Sequence, residues 1–284
     1  MIDELKQLTE RVDQTLVKGI DPDQGVLQAA VHYALSVKGK RLRPLLFLSL
    51  LEAFDVETEK YMDIACAIEC IHTYSLIHDD LPAMDDDDFR RGMPTVHKKF
   101  NEAIGLLAGD TLLTCAFERI AKADATPIQI VNIFRILTES IGKDGMAGGQ
   151  ALDLEFDGNK EDIFKIHRQK TAELINACFM SAAEIIGLPD EKKKTLKEAG
   201  MTIGIAFQMA DDLLDIIGDE KEVGKKLNKD QGNKSPNCVL FYGQDFIKKE
   251  IDTAYQRTMD LLENLGITYP PFLYLMKKMV YRSK

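Results

Sequence analysis

Apolar residues recur at spacings of three and four along nearly the whole chain. Near the start, Leu5, Leu8, Val12 and Leu16 share one helical face, and Gly19 follows as a stop signal. Similar stripes run through 24–37, 43–54, 57–80, 101–123, 127–141, 161–186, 191–217, 239–265 and 271–282. Period-two alternation is never sustained, and no Asn-Gly or Asp-Gly pair is flanked by strand-like runs. The pattern predicts an all-α protein. No linker rich in Pro, Gly or Ser and no repeat of solenoid period breaks it, so one domain is expected over 1–284. One long polar connection stands apart, GDEKEVGKKLNKDQGNKSPN at 218–237. Stretches of this length inside compact domains are uncommon and tend to be lids or binding loops. Lys225, Lys226, Lys229 and Lys234 give this one the charge of a cover over an anion; the plainer alternative is a solvated loop.

Composition narrows the class. The chain has 284 residues, 45% of them hydrophobic, enough for a large core. No window approaches the roughly 18 uninterrupted apolar residues of a membrane span. The opening Met1-Ile2-Asp3-Glu4-Leu5 is acidic where a secretory signal is basic and then apolar, so a cytoplasmic location is expected. Five cysteines, an odd number without a CxxC pair, read as buried thiols rather than disulfides or zinc ligands. A formal net charge of −10 argues against nucleic acid as a partner. An anionic substrate would therefore need a local reversal of sign.

Two acidic clusters and a set of basic residues supply that chemistry. Asp79-Asp80-Leu81-Pro82-Ala83-Met84-Asp85-Asp86-Asp87-Asp88 places six carboxylates in ten residues, and Asp211-Asp212-Leu213-Leu214-Asp215 adds three. Each follows an apolar helical run. Asp211 and Asp215 fall one turn apart on one face, whereas Pro82 requires a kink to bring Asp85 back towards Asp79. Carboxylates stacked in this way repel one another unless cations neutralise them. Magnesium suits an all-oxygen donor set that also holds phosphates, structural zinc does not, and an EF-hand fails because Arg90 stands where its loop needs Gly. A solvated acidic face is the alternative, weakened by there being two clusters.

On the basic side, Arg90 and Arg91 follow the first cluster, and Lys38-Gly39-Lys40-Arg41-Leu42-Arg43-Pro44 lies upstream without any Walker phosphate loop. Arg forks grip phosphate bidentately and Lys acts as a point charge. Lys170-Thr171 is a quieter candidate. His72, seven residues before Asp79, lies about 10 Å along the same helical stripe, as a core residue or a phosphate donor.

Taken together, IHTYSLIHDDLPAMDDDDFRRG (71–92), GDTLLTCAFE (109–118), GGQALDL (148–154), KTAEL (170–174) and FQMADDLLD (207–215) resemble the trans-prenyltransferase (polyprenyl diphosphate synthase) family, in particular its bacterial farnesyl diphosphate synthase branch. The resemblance implies a single bundle of long, mostly antiparallel helices around a deep cavity, generally paired as a homodimer. It implies that Asp79 and Asp85, supported by Asp80, and Asp211 with Asp215 hold about three Mg2+ ions. Lys40, Arg43, His72 and Arg91 correspond to the grip on isopentenyl diphosphate. Arg90, Lys170 and Lys225 correspond to the grip on the allylic diphosphate, and Thr171 and Gln208 line the reacting carbons. The implied reaction ionises the allylic diphosphate and couples the cation to isopentenyl diphosphate, with Asp79, Asp85, Asp211, Lys170 and Arg90 as its catalytic groups.

Tyr74, with Ser75 beside it, lies five residues or about 7.5 Å before Asp79. A ring there can floor the pocket and stop growth at fifteen carbons, the product the resemblance implies. A geranylgeranyl diphosphate synthase is the near rival. A class I terpene cyclase would not need the basic segment at 38–43, a non-catalytic subunit would lose an aspartate motif, and a metal store explains none of the basic residues. Departures from the family pattern are Lys38 in place of a glycine, Pro236-Asn237 after Ser235, and a divergent last fifty residues.

Overall fold

The computed structural model describes residues 2–217 and 235–281. They fold almost entirely as helices, in two compact units: Met1–Leu48 with Glu57–Ile130, and Ser49–Val56 with Val131–Lys284. None of the described helices is long and apolar enough to cross a membrane.

The first unit contains α1 (Ile2–Leu16), α2 (Val26–Ser36), most of α3 (Leu42–Glu52), α4 (Met62–Asp79), α5 (Val96–Lys99) and α6 (Glu102–Lys122). Leu5, Leu8, Val12 and Leu16 of α1 are buried, as their spacing predicts. Helix α4 is apolar nearly all round and buries ten of its non-aspartate positions together with Glu69, the pattern of a central helix. It packs on α6 at Gly109, where a Cβ would lie 2.1 Å from His78 Nε2. The Asn101 side chain starts α6 by accepting from the Ile104 amide at 2.9 Å.

The second unit holds most of α7 (Pro127–Ile141), α8 (Met146–Leu154), α9 (Ile163–Ile166), α10 (Glu173–Ile186), α11 (Asp190–Ile217), α12 (Cys238–Tyr242), α13 (Gln244–Asn264) and α14 (Pro270–Val280). Helix α11 is its axis, packed by α10, α13 and α14. Phe179 and Phe272 meet edge-to-face in the core, ring centroids 5.5 Å apart.

Four details differ from the sequence expectation. Helix α8 was not anticipated, because Gly148 and Gly149 dilute its apolar stripe. The stripe at 239–265 is two helices, divided at Gly243 with φ 84°. The stripe at 161–186 contains a six-residue π-helix, His167–Ala172, between α9 and α10. A two-stranded antiparallel pair, β1 (Phe89–Arg90) and β2 (Met93–Pro94), turns through Arg91 and Gly92 at φ 53° and 75°. Two successive positive φ values fit a tight hairpin turn, here with Arg where Asn is usual.

Candidate functional site

In the first unit the acidic run sits at the C-terminal end of α4. Pro82 prevents a further regular turn, and the chain curls until the Asp85 amide donates to the Asp79 carbonyl at 2.8 Å. A left-handed Asp86, φ 49°, completes the loop. The two aspartates meant to act together thus share one closed main-chain ring.

The six carboxylates are not equivalent. Asp80 points inward, 3% exposed, and its Oδ1 accepts from Arg90 Nε at 2.8 Å and Nη2 at 2.6 Å. Burial raises the Asp80 carboxyl above its ordinary range, against the opposing pull of Arg90. Asp87 lies 3.9 Å from the same guanidinium, while Lys98 on α5 pairs with Asp88 at 2.8 Å and Asp86 at 3.8 Å. Lys98 is a partner the sequence reading missed; its one signal was the basic end of α5, which follows the run after the β1–β2 hairpin.

The basic segment also divides its labour. Arg41 takes a left-handed φ of 45° and is 2% exposed. Its guanidinium donates to Asp13 on α1 at 2.6 Å, to Glu69 on α4 at 3.1 Å, and to the Leu35 and Val37 carbonyls at 2.7 and 3.1 Å. It anchors the segment, while Lys40 stays exposed and Arg43 sits in the first turn of α3. Arg91 lays its guanidinium over Gly39, where a Cβ would lie 2.3 Å from Nη1. This explains why Gly39 is a glycine, whereas position 38 tolerates Lys.

His72 lies within the field of these cations. Burial first, then the charges of Arg43, Arg91, Arg90 and Arg41, hold its imidazole well below the ordinary value, so it is neutral. Arg91 is itself lowered, by burial and by Arg41, Arg90 and Arg43, against an opposing effect of Glu69. Four guanidinium charges thus reach one imidazole, Arg41 and Arg90 each being raised against burial by its own carboxylate partners, and they gather positive charge on an acidic protein, the sign an anion requires. Tyr74 packs edge-to-face on His78 at 5.9 Å, and burial followed by Asp79 raises its phenol to about 12. Ser75 spends its hydroxyl on the His72 carbonyl at 2.9 Å.

In the second unit Lys170 and Thr171 both lie on the π-helix. Lys170 is paired with Asp153 of α8, a residue the sequence reading did not single out although it is the one acidic residue of GGQALDL. The backbones meet here: a Cβ on Gly149 would lie 2.2 Å from the Lys170 amide nitrogen. Thr171 Oγ1 donates to Gln208 Oε1 at 2.8 Å, and Gln208 Nε2 donates to Asp212 Oδ1 at 3.0 Å. Asp211 is partly exposed on α11, while Asp215, one turn on, is buried. Asp212 is buried too; burial alone would raise it, but hydrogen bonds from His167, the Cys238 amide and Gln208 hold it below the ordinary carboxylate range. Lys225 and the rest of 218–234 lie outside the described residues.

Comparison with known proteins adds an independent line. The polyprenyl synthetase family model matches residues 24–265. A farnesyl diphosphate synthase of Geobacillus stearothermophilus is 41% identical over 287 residues, covering 98% of this chain and 97% of that protein. A geranylgeranyl diphosphate synthase of Cyanophora paradoxa is 38% identical and covers 90% of this chain and 88% of its own. Among solved structures, a geranyltransferase from Helicobacter pylori complexed with magnesium and isoprenyl diphosphate superimposes with a TM-score of 0.84 at 32% identity, covering 98% of this chain and 95% of that one.

Proposed function

The chain belongs to the polyprenyl synthetase family, and from that premise we propose that it condenses isopentenyl diphosphate with dimethylallyl or geranyl diphosphate to make farnesyl diphosphate. The observation that carries the reading is near-full-length identity of 41% to a farnesyl diphosphate synthase. Residues 1–284 act as one functional domain, since the family match at 24–265 spans parts of both units.

The roles of individual residues are part of the proposal. Lys40, Arg43, Arg91 and neutral His72 bind the diphosphate of isopentenyl diphosphate, a role supported by the crowding of their positive charge. Neutral His72 donates a hydrogen bond without adding to that crowding. Arg90 faces the allylic diphosphate, and Asp80 serves it from behind rather than as a primary metal ligand, because Asp80 is buried against the guanidinium.

The residues fit magnesium. Asp79 and Asp85 are closed into one ring by main-chain hydrogen bonding, and Asp211 with Asp215 repeats an oxygen donor set one helical turn apart. About three Mg2+ ions are proposed, which when bound supply Lewis-acid stabilisation of the departing diphosphate. Lys170, oriented by Asp153, places a cation for the negative charge that develops as the carbon–oxygen bond breaks. Thr171 and Gln208, fixed by their mutual hydrogen bond, present polar atoms to the reacting carbons. Holding both reactants in register supplies much of the rate. A homodimer and a fifteen-carbon product limited by Tyr74 complete the reading. The near-equal similarity to a geranylgeranyl diphosphate synthase makes a twenty-carbon product the specific alternative.

The test is incubation of the purified protein with labelled isopentenyl diphosphate and each allylic primer, with and without magnesium. A fifteen-carbon product dependent on magnesium is expected. A twenty-carbon product would select the alternative, and a cyclised product or none would end the reading.

A further inference from the structure

Asp212 is the one aspartate of the second motif with no role in the proposed chemistry, yet both of its carboxylate oxygens and its carbonyl accept hydrogen bonds. Gln208 Nε2 donates to its Oδ1 at 3.0 Å. The Cys238 amide donates to its Oδ2 at 2.7 Å, and His167 Nε2 lies 3.1 Å from the same oxygen. Its own carbonyl accepts from Asn237 Nδ2 at 3.1 Å. All of these partners except Gln208 are buried, with His167 3% and Cys238 0% exposed.

The contacts have a register. His167 faces Asp212 and Thr171 faces Gln208, so a step of four along the π-helix meets a step of four backwards along α11. One residue beyond Thr171 the ladder closes on main chain: a Cβ on Gly204 would lie 2.8 Å from the Ala172 Cα. Rotation or sliding of α11 against the π-helix would break both rungs. The same carboxylate takes the first amide of α12, so three separate segments are indexed on one side chain. Asp211 precedes that side chain directly and Asp215 follows within one turn, so their direction depends on it.

We propose that Asp212 and His167 are positioning residues that set the rotation of the second aspartate motif, and with it the aim of Asp211 and Asp215 at metal-bound diphosphate. The inference rests on the reading of that motif as the magnesium diphosphate site. His167 acts only through Asp212: its Nδ1 is buried with no hydrogen-bond partner among the described residues, so the ring bonds through Nε2 alone. A competing reading is a small buried metal site, because ligand atoms of His167, Asp212 and Cys238 lie within 4.8 Å of one another. The amide of Cys238 and the imidazole already fill that space with hydrogen bonds to the carboxylate, and this favours the positioning role.

The experiment compares the full-length protein with His167→Leu, which removes the donor, and His167→Gln, whose amide nitrogen restores it near the same place. Calorimetry with inorganic pyrophosphate and magnesium reads the site without turnover, and steady-state kinetics reads KM and kcat separately. For His167→Leu we expect pyrophosphate affinity in magnesium to fall about tenfold or more. We expect kcat to fall with it while the KM for isopentenyl diphosphate stays within about twofold, and His167→Gln to recover most of the loss. Unchanged pyrophosphate binding by His167→Leu, a parallel rise in that KM, or equal damage in both variants overturns the proposal. So does one equivalent of tightly bound zinc in the purified wild type. If His167→Leu does not fold, Asp212→Asn provides the same comparison against wild type. A wild-type protein that forms no prenyl product fails the functional reading itself, whatever the variants bind.

Discussion

At the scale of single residues, the proposed roles divide the site into side chains assigned to ligand and side chains that aim them. Asp79→Ala or Asp85→Ala should lower kcat by about 10²–10³ or more with the melting temperature nearly unchanged, as steady-state assays and thermal denaturation would record. Gly39→Ala asks a sharper question. The added methyl meets only the far end of the Arg91 side chain, which can swing away at little cost to the fold. We expect the KM for isopentenyl diphosphate to rise about tenfold while stability stays within about 1 kcal/mol. His72 carries a pH signature. Its folded-state pKa is depressed, so below the unfolded value of about 6.5 the unfolded chain binds a proton that the folded one refuses. Stability should therefore fall as pH drops from about 7.5 to 5.5, and less so in His72→Gln, a difference that melting curves across that range would resolve.

At the scale of elements, the helices were legible because burial imposes a period of 3.6 on the apolar residues. The stripes of α1, α4, α6 and α7 correspond to helices within a few residues. What escaped was whatever periodicity does not encode. A π-helix widens the turn over only a few residues, too short a shift to show in a stripe read over 161–186, so His167–Ala172 looked like ordinary helix. Arg41 was given no role apart from its membership of the basic segment, because composition cannot tell a buried cation with four acceptors from an exposed one. Asp153 and Lys98 escaped for a related reason: each is defined by a partner distant in sequence or on another element. Pro236-Asn237, which departs from the family pattern, gains a local reason, since Asn237 caps α12 at the Val239 amide. The Gly149–Lys170 approach is main chain against main chain and has no flexible tip to yield. Gly149→Ala should therefore cost about 1–3 kcal/mol by denaturant titration and lower kcat as well, the opposite division from Gly39→Ala.

At the scale of the whole molecule, a net charge of −10 coexists with a patch where Arg43, Arg90, Arg91 and Arg41 depress His72. Removing divalent cations should abolish turnover and returning magnesium should restore it, in a chelator titration followed by product assay. Retention of activity in excess chelator would contradict the roles given to the aspartates. Tyr74→Ala should lengthen the product by at least one five-carbon unit, read by chromatography of the dephosphorylated alcohols; an unaltered product would free Tyr74 from that role. The family and the reaction class were visible in the motifs, whereas product length hangs on one ring and was not.

The buried guanidinium of Arg41 bears on any attempt to transplant this chemistry. Grafting residues 38–44 onto a different helical scaffold would carry over the side chains proposed to grip phosphate but not their posture. The left-handed bend at Arg41 is secured by Asp13 and Glu69, which lie outside the graft. A working transplant must bring both acids along; without them the host would inherit an unpaired cation seeking water where the donor protein keeps a pivot.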